Sequence, residues 1–127
     1  MDQTLAQLGE KELINRLKKF VPPGQIDDDT AQINPLGKEL LLNTDLLVEG
    51  VHFHQKTTSP FDVGWKAITM SLSDLAASGV QEILGISIGL SVPAETSWKW
   101  IEEVYEGIFT ALNEFGGIIF GGDCSKG

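Results

Sequence analysis

The sequence predicts an α/β domain with helices packed on a mixed β-sheet. Two long segments, near residues 60–78 and 96–115, repeat apolar residues at helical spacing. Two apolar, β-branched runs, Glu82–Leu90 and Ile118–Phe120, have the length of buried strands. A first helix and a turn-linked pair of short apolar runs precede them. The order is therefore helix, hairpin, helix, strand, helix, strand, which layers helices on a sheet.

Each element has a local cause. In Glu10–Phe20, Leu13, Ile14, Leu17 and Phe20 share one face, and Val21-Pro22-Pro23-Gly24 ends the helix. Ala31–Ile33 and Leu40–Thr44 flank Asn34-Pro35-Leu36-Gly37, a strong turn signal, and are expected to pair as a hairpin. The next helix starts with Ser59 as N-cap, Pro60 at the first position and Asp62 near the positive end of the dipole. It is expected to run to about Ser78, with Gly79 as the stop. Phe61, Trp65, Ile68, Leu72, Leu75 and Ala76 form its apolar stripe. Pro93 separates the following strand from a helix over about Thr96–Phe115, whose stripe includes Trp100, Ile101, Val104, Ile108, Ala111, Leu112 and Phe115. Gly116-Gly117 breaks that helix. Ile118-Ile119-Phe120 is expected to be a short buried strand running into a polar loop from Gly121 to Gly127. Because the chain stops in that loop, residues 1–127 are expected to be one truncated domain, with a C-terminal domain absent.

A chain of 127 residues is long enough for one core, burying roughly two thirds of the unfolded surface. Its 42% hydrophobic content excludes a disordered tail. The net charge of −9 argues against nucleic acid and against an anionic membrane surface as partners. A phosphate ligand would be repelled too, unless a divalent cation stands between. Cys124 is the only cysteine, so no disulfide closes within the chain. No signal peptide and no membrane span are visible, and a cytoplasmic location is expected.

The chemistry is concentrated in acidic words at element ends. Asn43-Thr44-Asp45 follows the apolar run Leu40-Leu41-Leu42, and His52 comes seven residues after Asp45. Asp27-Asp28-Asp29-Thr30, Ser73-Asp74 and Gly121-Gly122-Asp123 are three further carboxylate sites. An all-oxygen set suits a hard cation such as magnesium rather than zinc or copper. Bland readings stand beside this. The acidic triplet is equally a solvated loop, Asp45 a turn cap, Asp74 an exposed helix position, and His52 a satisfied structural histidine. The glycines before Asp123 serve a tight turn or the approach of a phosphate. Tyr105 is a packing residue or a stacking platform. An EF-hand is excluded, since counting from Asp28 puts Ile33 where glycine is required. There is no P-loop and no dinucleotide-binding glycine turn.

The words Asp28-Asp29-Thr30-Ala31, Thr44-Asp45-Leu46-Leu47-Val48-Glu49-Gly50-Val51-His52-Phe53, Trp65-Lys66-Ala67, Leu72-Ser73-Asp74-Leu75-Ala76-Ala77-Ser78-Gly79 and Gly121-Gly122-Asp123 resemble thiamine-monophosphate kinases. That family lies in the aminoimidazole ribonucleotide synthetase-like superfamily. The resemblance runs from about Glu10 to the last residue and implies the N-terminal ATP-binding domain of that fold. It implies transfer of the ATP γ-phosphoryl group to thiamine monophosphate, with Mg2+ as cofactor and ATP as co-substrate. By motif, Asp29, Asn43, Thr44, Asp45, Asp74 and Asp123 match metal positions, with Asn43 replacing a usual hydroxyl residue and offering a carbonyl. Tyr105, Gly122 and Asp123 match nucleotide contacts, and His52 a substrate contact. No catalytic side chain is implied. A homodimer through the sheet is implied, with Leu40–Leu42 and Ile83–Leu90 as its apolar strands. Two relatives fit less well: selenophosphate synthetase needs a cysteine near the N-terminus, and aminoimidazole ribonucleotide synthetase has a G-T-K word where Leu46–Gly50 stands. The competing class is a non-catalytic, dimerising, divalent-metal-binding module.

Overall fold

The structure is a computed structural model that describes residues 3–24, 26–27 and 30–127. The chain divides into two compact units, Met1–Asn43 and Thr44–Gly127. The α/β class holds, but the strands form two separate two-stranded sheets, one in each unit.

In the first unit, α1 (Leu5–Leu8) is a single turn that the periodicity did not announce. It exists because of a capping box: Gln7 N–H donates to Thr4 Oγ1 and Thr4 N–H donates to Gln7 Oε1. Helix α2 (Glu10–Leu17) follows, braced by an Arg16–Glu12 ion pair at 3.0 Å. The expected helix over Glu10–Phe20 tightens to a 3₁₀ turn for its last three residues, Lys18–Phe20. Strands β1 (Ala31–Ile33) and β2 (Leu40–Leu42) pair antiparallel as the expected hairpin, with Ile33 opposite Leu40 and Ala31 opposite Leu42. The second strand is shorter than the expected Leu40–Thr44, so Asn43 and Thr44 follow its end rather than lie within it.

The second unit contains the core. Helix α3 (Pro60–Ala77) starts as expected: Ser59 Oγ accepts from Asp62 N–H at 3.1 Å and Pro60 takes the first turn. Gly79, at φ 83°, stands just past its C-cap Ser78. Helix α4 (Trp98–Phe115) begins later than expected, because Ser97 and not Thr96 is the cap, accepting from Trp100 N–H. The buried cluster joins Val63, Ile68 and Leu72 of α3 to Val104, Ile108, Ala111 and Leu112 of α4, with Phe53 from the preceding loop. Trp65 and Phe115 add a tilted ring contact with centroids 5.8 Å apart.

Strands β3 (Gly85–Val92) and β4 (Ile118–Lys126) are parallel, joined by α4 as their crossover. Here the sequence expectation needs correcting. The short strand Ile118–Phe120 is the start of a nine-residue strand, and the expected loop after Gly121 is hydrogen-bonded to β3 as far as Lys126. It is not buried either, since all nine residues are exposed. Backbone pairing, indifferent to side-chain hydropathy, holds a Gly-Gly-Asp-Cys-Ser segment in a strand that its composition disfavours.

Two glycines let the helices meet. A methyl group built on Gly64 would overlap the Val104 carbonyl, and one built on Gly107 would overlap the Phe61 carbonyl. Both contacts are to backbone, which cannot rotate away. Gly64→Ala and Gly107→Ala are each expected to destabilise the chain by about 1–3 kcal/mol, the range for an overpacked core. Urea unfolding measures this, and a wild-type midpoint for either variant would contradict the reciprocal contact.

Candidate functional site

The loop that carries His52 is a closed turn built on its own backbone. Val51 N–H and His52 N–H both donate to the Val48 carbonyl, at 3.1 and 2.8 Å, and Gly50 N–H donates to the Phe53 carbonyl at 2.8 Å. Gly50 sits at φ 80°, a conformation that favours glycine. Val48 N–H donates to His52 Nδ1 at 2.9 Å. An Nδ1 that accepts leaves the ring proton of the neutral imidazole on Nε2. His52 is half-buried, and Phe53 next to it is buried in the core. The histidine is thus anchored from below and presents its Nε2 edge. A residue without an assigned role in the sequence reading holds this turn. The Lys66 ammonium donates to the His52 carbonyl. The available signal was that Lys66 is the sole basic residue of α3.

The β3–β4 register places Asp123. Ile86 and Ile88 pack against the core, so alternate residues Ser87, Gly89 and Ser91 face the other way and are exposed. In the parallel pairing, Gly121, Asp123 and Ser125 stand beside Ser87, Gly89 and Ser91 on that open face. From Ser87 and Gly121 onward it is lined by small or polar residues, while the Phe120 ring lies over Gly85 at its start. Between the Ile86–Ile119 and Ser87–Gly121 pairs, β4 carries one extra residue, Phe120. Without this bulge Asp123 would stand beside Leu90 on the helix-packed face. The two glycines therefore serve neither a tight turn nor a loop. Gly121, at φ 142°, follows the bulge, and a side chain at Gly122 would overlap the Ile88 backbone.

Tyr105, on α4, is half-buried and stands close enough to Cys124 to feel its charge. Cys124 pairs with Leu90, on the helix-packed face. Tyr105 and Asp123, both expected at a nucleotide, are thus directed to opposite faces of the β3–β4 pair. Asp74 is half-buried in the last turn of α3, and Thr44 and Asp45 are exposed at the start of the second unit. Asn43 ends the first unit, and Asp29 lies outside the described residues. Among the described residues, no three of His, Cys, Asp and Glu are grouped to hold one metal ion. The donor chemistry still fits magnesium. That ion takes oxygen ligands, commonly only one or two carboxylates, with phosphate oxygens and water completing the shell. Neighbouring Asp27 is engaged differently, in an ion pair with Lys18 at 2.8 Å.

Residues 27–127 match the family of AIR synthase related protein, N-terminal domain. A thiamine-monophosphate kinase of Prochlorococcus marinus is 56% identical over 125 residues, covering 98% of this chain and 38% of the relative. A solved structure of AaThiL complexed with AMPPCP and TMP superposes with a TM-score of 0.89 at 37% identity, covering 100% of this chain and 40% of that one. The crystal structure of thiamine monophosphate kinase from Aquifex aeolicus gives a TM-score of 0.81 at 36% identity, with 98% of this chain and 40% of that chain covered. This chain thus spans about two fifths of the length of the relatives it matches. No helix among the described residues is long and apolar enough to cross a membrane.

Burial pushes the Tyr105 phenol above the ordinary tyrosine range, and a charged Cys124 thiolate pushes it the same way. Tyr105 is the only tyrosine, so its ultraviolet titration is read without overlap from another. Cys124→Ser is expected to lower the midpoint while leaving it above that of free tyrosine, because burial is the larger cause. An unchanged midpoint in the folded variant would remove the thiol as a contributor.

Proposed function

We propose that this chain, which belongs to the AIR synthase related protein family through its N-terminal domain, works in an ATP-dependent kinase that phosphorylates thiamine monophosphate to thiamine diphosphate. The observation that carries this reading is the likeness of the whole chain to a solved structure complexed with AMPPCP and TMP. The acceptor in this reaction is a phosphate oxygen, already anionic at neutral pH. It needs no general base. The barrier is the approach of two anionic phosphates.

The acidic protein resolves this by attracting cations first. Asp29, Asn43, Thr44, Asp45, Asp74 and Asp123 would hold magnesium by their oxygens. Bound there, magnesium supplies neutralisation of phosphate charge. Asp123 meets the nucleotide phosphates from the open face of the sheet, and Gly122 beside it contributes backbone. Tyr105 contacts the nucleotide from the opposite face. His52 donates from Nε2 to the acceptor. The second domain of the proposed enzyme is carried by chain beyond this domain, the enzyme is a homodimer paired through its sheets, and it works in the cytoplasm. Nucleic acid is not a ligand.

Isothermal calorimetry with ATP tests the reading. Binding is expected with magnesium and is expected to vanish in excess chelator, and equal affinity in both would overturn it. Asp45→Asn and Asp74→Asn keep side-chain shape but remove charge. Each is expected to weaken magnesium–ATP binding about tenfold, or about 1.4 kcal/mol, without changing the unfolding midpoint. If both bind normally, the metal assignment is wrong. Light scattering is expected to give twice the chain mass, and a monomer at high concentration would refute the paired sheets.

A further inference from the structure

We infer that Lys66 is a positioning residue whose bond to the His52 carbonyl, together with the Val48 amide on Nδ1, locks His52 as a single Nε2–H donor toward an acceptor oxygen of the substrate. The inference rests on the reading of His52 as a substrate contact, and adds how that contact is prepared.

The geometry works from the core outward. Helix α3 is fixed against α4 by Gly64, two residues before Lys66. Lys66 is half-buried, so its stem lies along the helix packing while its ammonium reaches the loop. That ammonium donates to the carbonyl of His52, which fixes the backbone from which the imidazole projects. Phe53, the next residue, is buried and fixes the other side of the same peptide. The ring is then oriented by Val48 N–H, 2.9 Å from Nδ1. A backbone amide can only donate, so Nδ1 must accept, and the neutral ring carries its proton on Nε2. The result is one rotamer and one tautomer, with an N–H directed out of the turn. Such a donor suits an acceptor oxygen, and phosphate is the strongest such group on a phosphomonoester. Preorganisation of this kind removes the cost of ordering the side chain on binding.

The test uses long-range proton–nitrogen NMR on the full chain at a pH where the imidazole is neutral. His52 in the wild type is expected to show only the Nε2–H pattern. Lys66→Met is expected to lose it and give a mixture of tautomers, and Lys66→Arg, which retains a donor, is expected to restore it. An Nδ1–H or mixed pattern in the wild type would overturn the inference, as would a single tautomer in folded Lys66→Met. If Lys66→Met fails to fold, Lys66→Arg decides: a mixture there overturns it and a single tautomer upholds it. Titration with thiamine monophosphate then separates the two readings. A locked tautomer whose signals do not move on adding it would reject His52 as a substrate contact and leave the lock standing.

Discussion

The reciprocal approach of Gly64 and Gly107 is the constraint on which the second unit depends. Each glycine lies against a backbone carbonyl of the opposite helix, so α3 and α4 meet at a distance that no side chain would allow. The apolar cluster of Val63, Ile68, Leu72, Val104, Ile108, Ala111 and Leu112 closes around that contact. Everything with a proposed chemical role on these helices is attached to it. Lys66 and Asp74 are carried on α3 and Tyr105 on α4, and the His52 turn is tied to α3 through Lys66 and through buried Phe53. A shift of one helix against the other would move those groups together.

The sheet contributes a different kind of control. Its helix-packed face is set by Ile86 and Ile88, while its open face carries Ser87, Gly89, Ser91, Gly121, Asp123 and Ser125. One inserted residue, Phe120, decides which face receives Asp123. The strand alternation that would otherwise set this carboxylate beside Leu90 is reversed, and Asp123 stands beside Gly89 instead. The absence of a side chain at Gly122 lets the two backbones stay paired beyond the bulge.

The acidic balance of the chain and its proposed phosphate chemistry are compatible only through cations. Of the residues expected at metal, Asp45 and Thr44 are exposed, Asp74 is half-buried and Asp123 is on an open strand face. Magnesium commonly takes only one or two carboxylates and completes its shell with phosphate oxygens and water, so the proposal does not require an enclosed acidic cluster.

The sequence by itself determined the α/β class, the hairpin, and the caps and ends of α3. Ser59, Pro60 and Gly79 act through local geometry that three or four residues specify. It also carried the family words, and with them the expected roles of His52, Asp74 and Asp123. Tertiary structure decided what those words could not encode. Gly64 and Gly107 fell outside any apolar stripe because they have no side chain to count, yet they set the helix contact. The Gly121–Lys126 segment reads as a loop, but a neighbouring strand satisfies its amides and carbonyls. The face of Asp123, the nearness of Cys124 to Tyr105 and the grip of Lys66 on the His52 carbonyl all depend on residues distant in sequence. Period and propensity report on neighbours along the chain; which backbone lies alongside which is known only once the chain has packed.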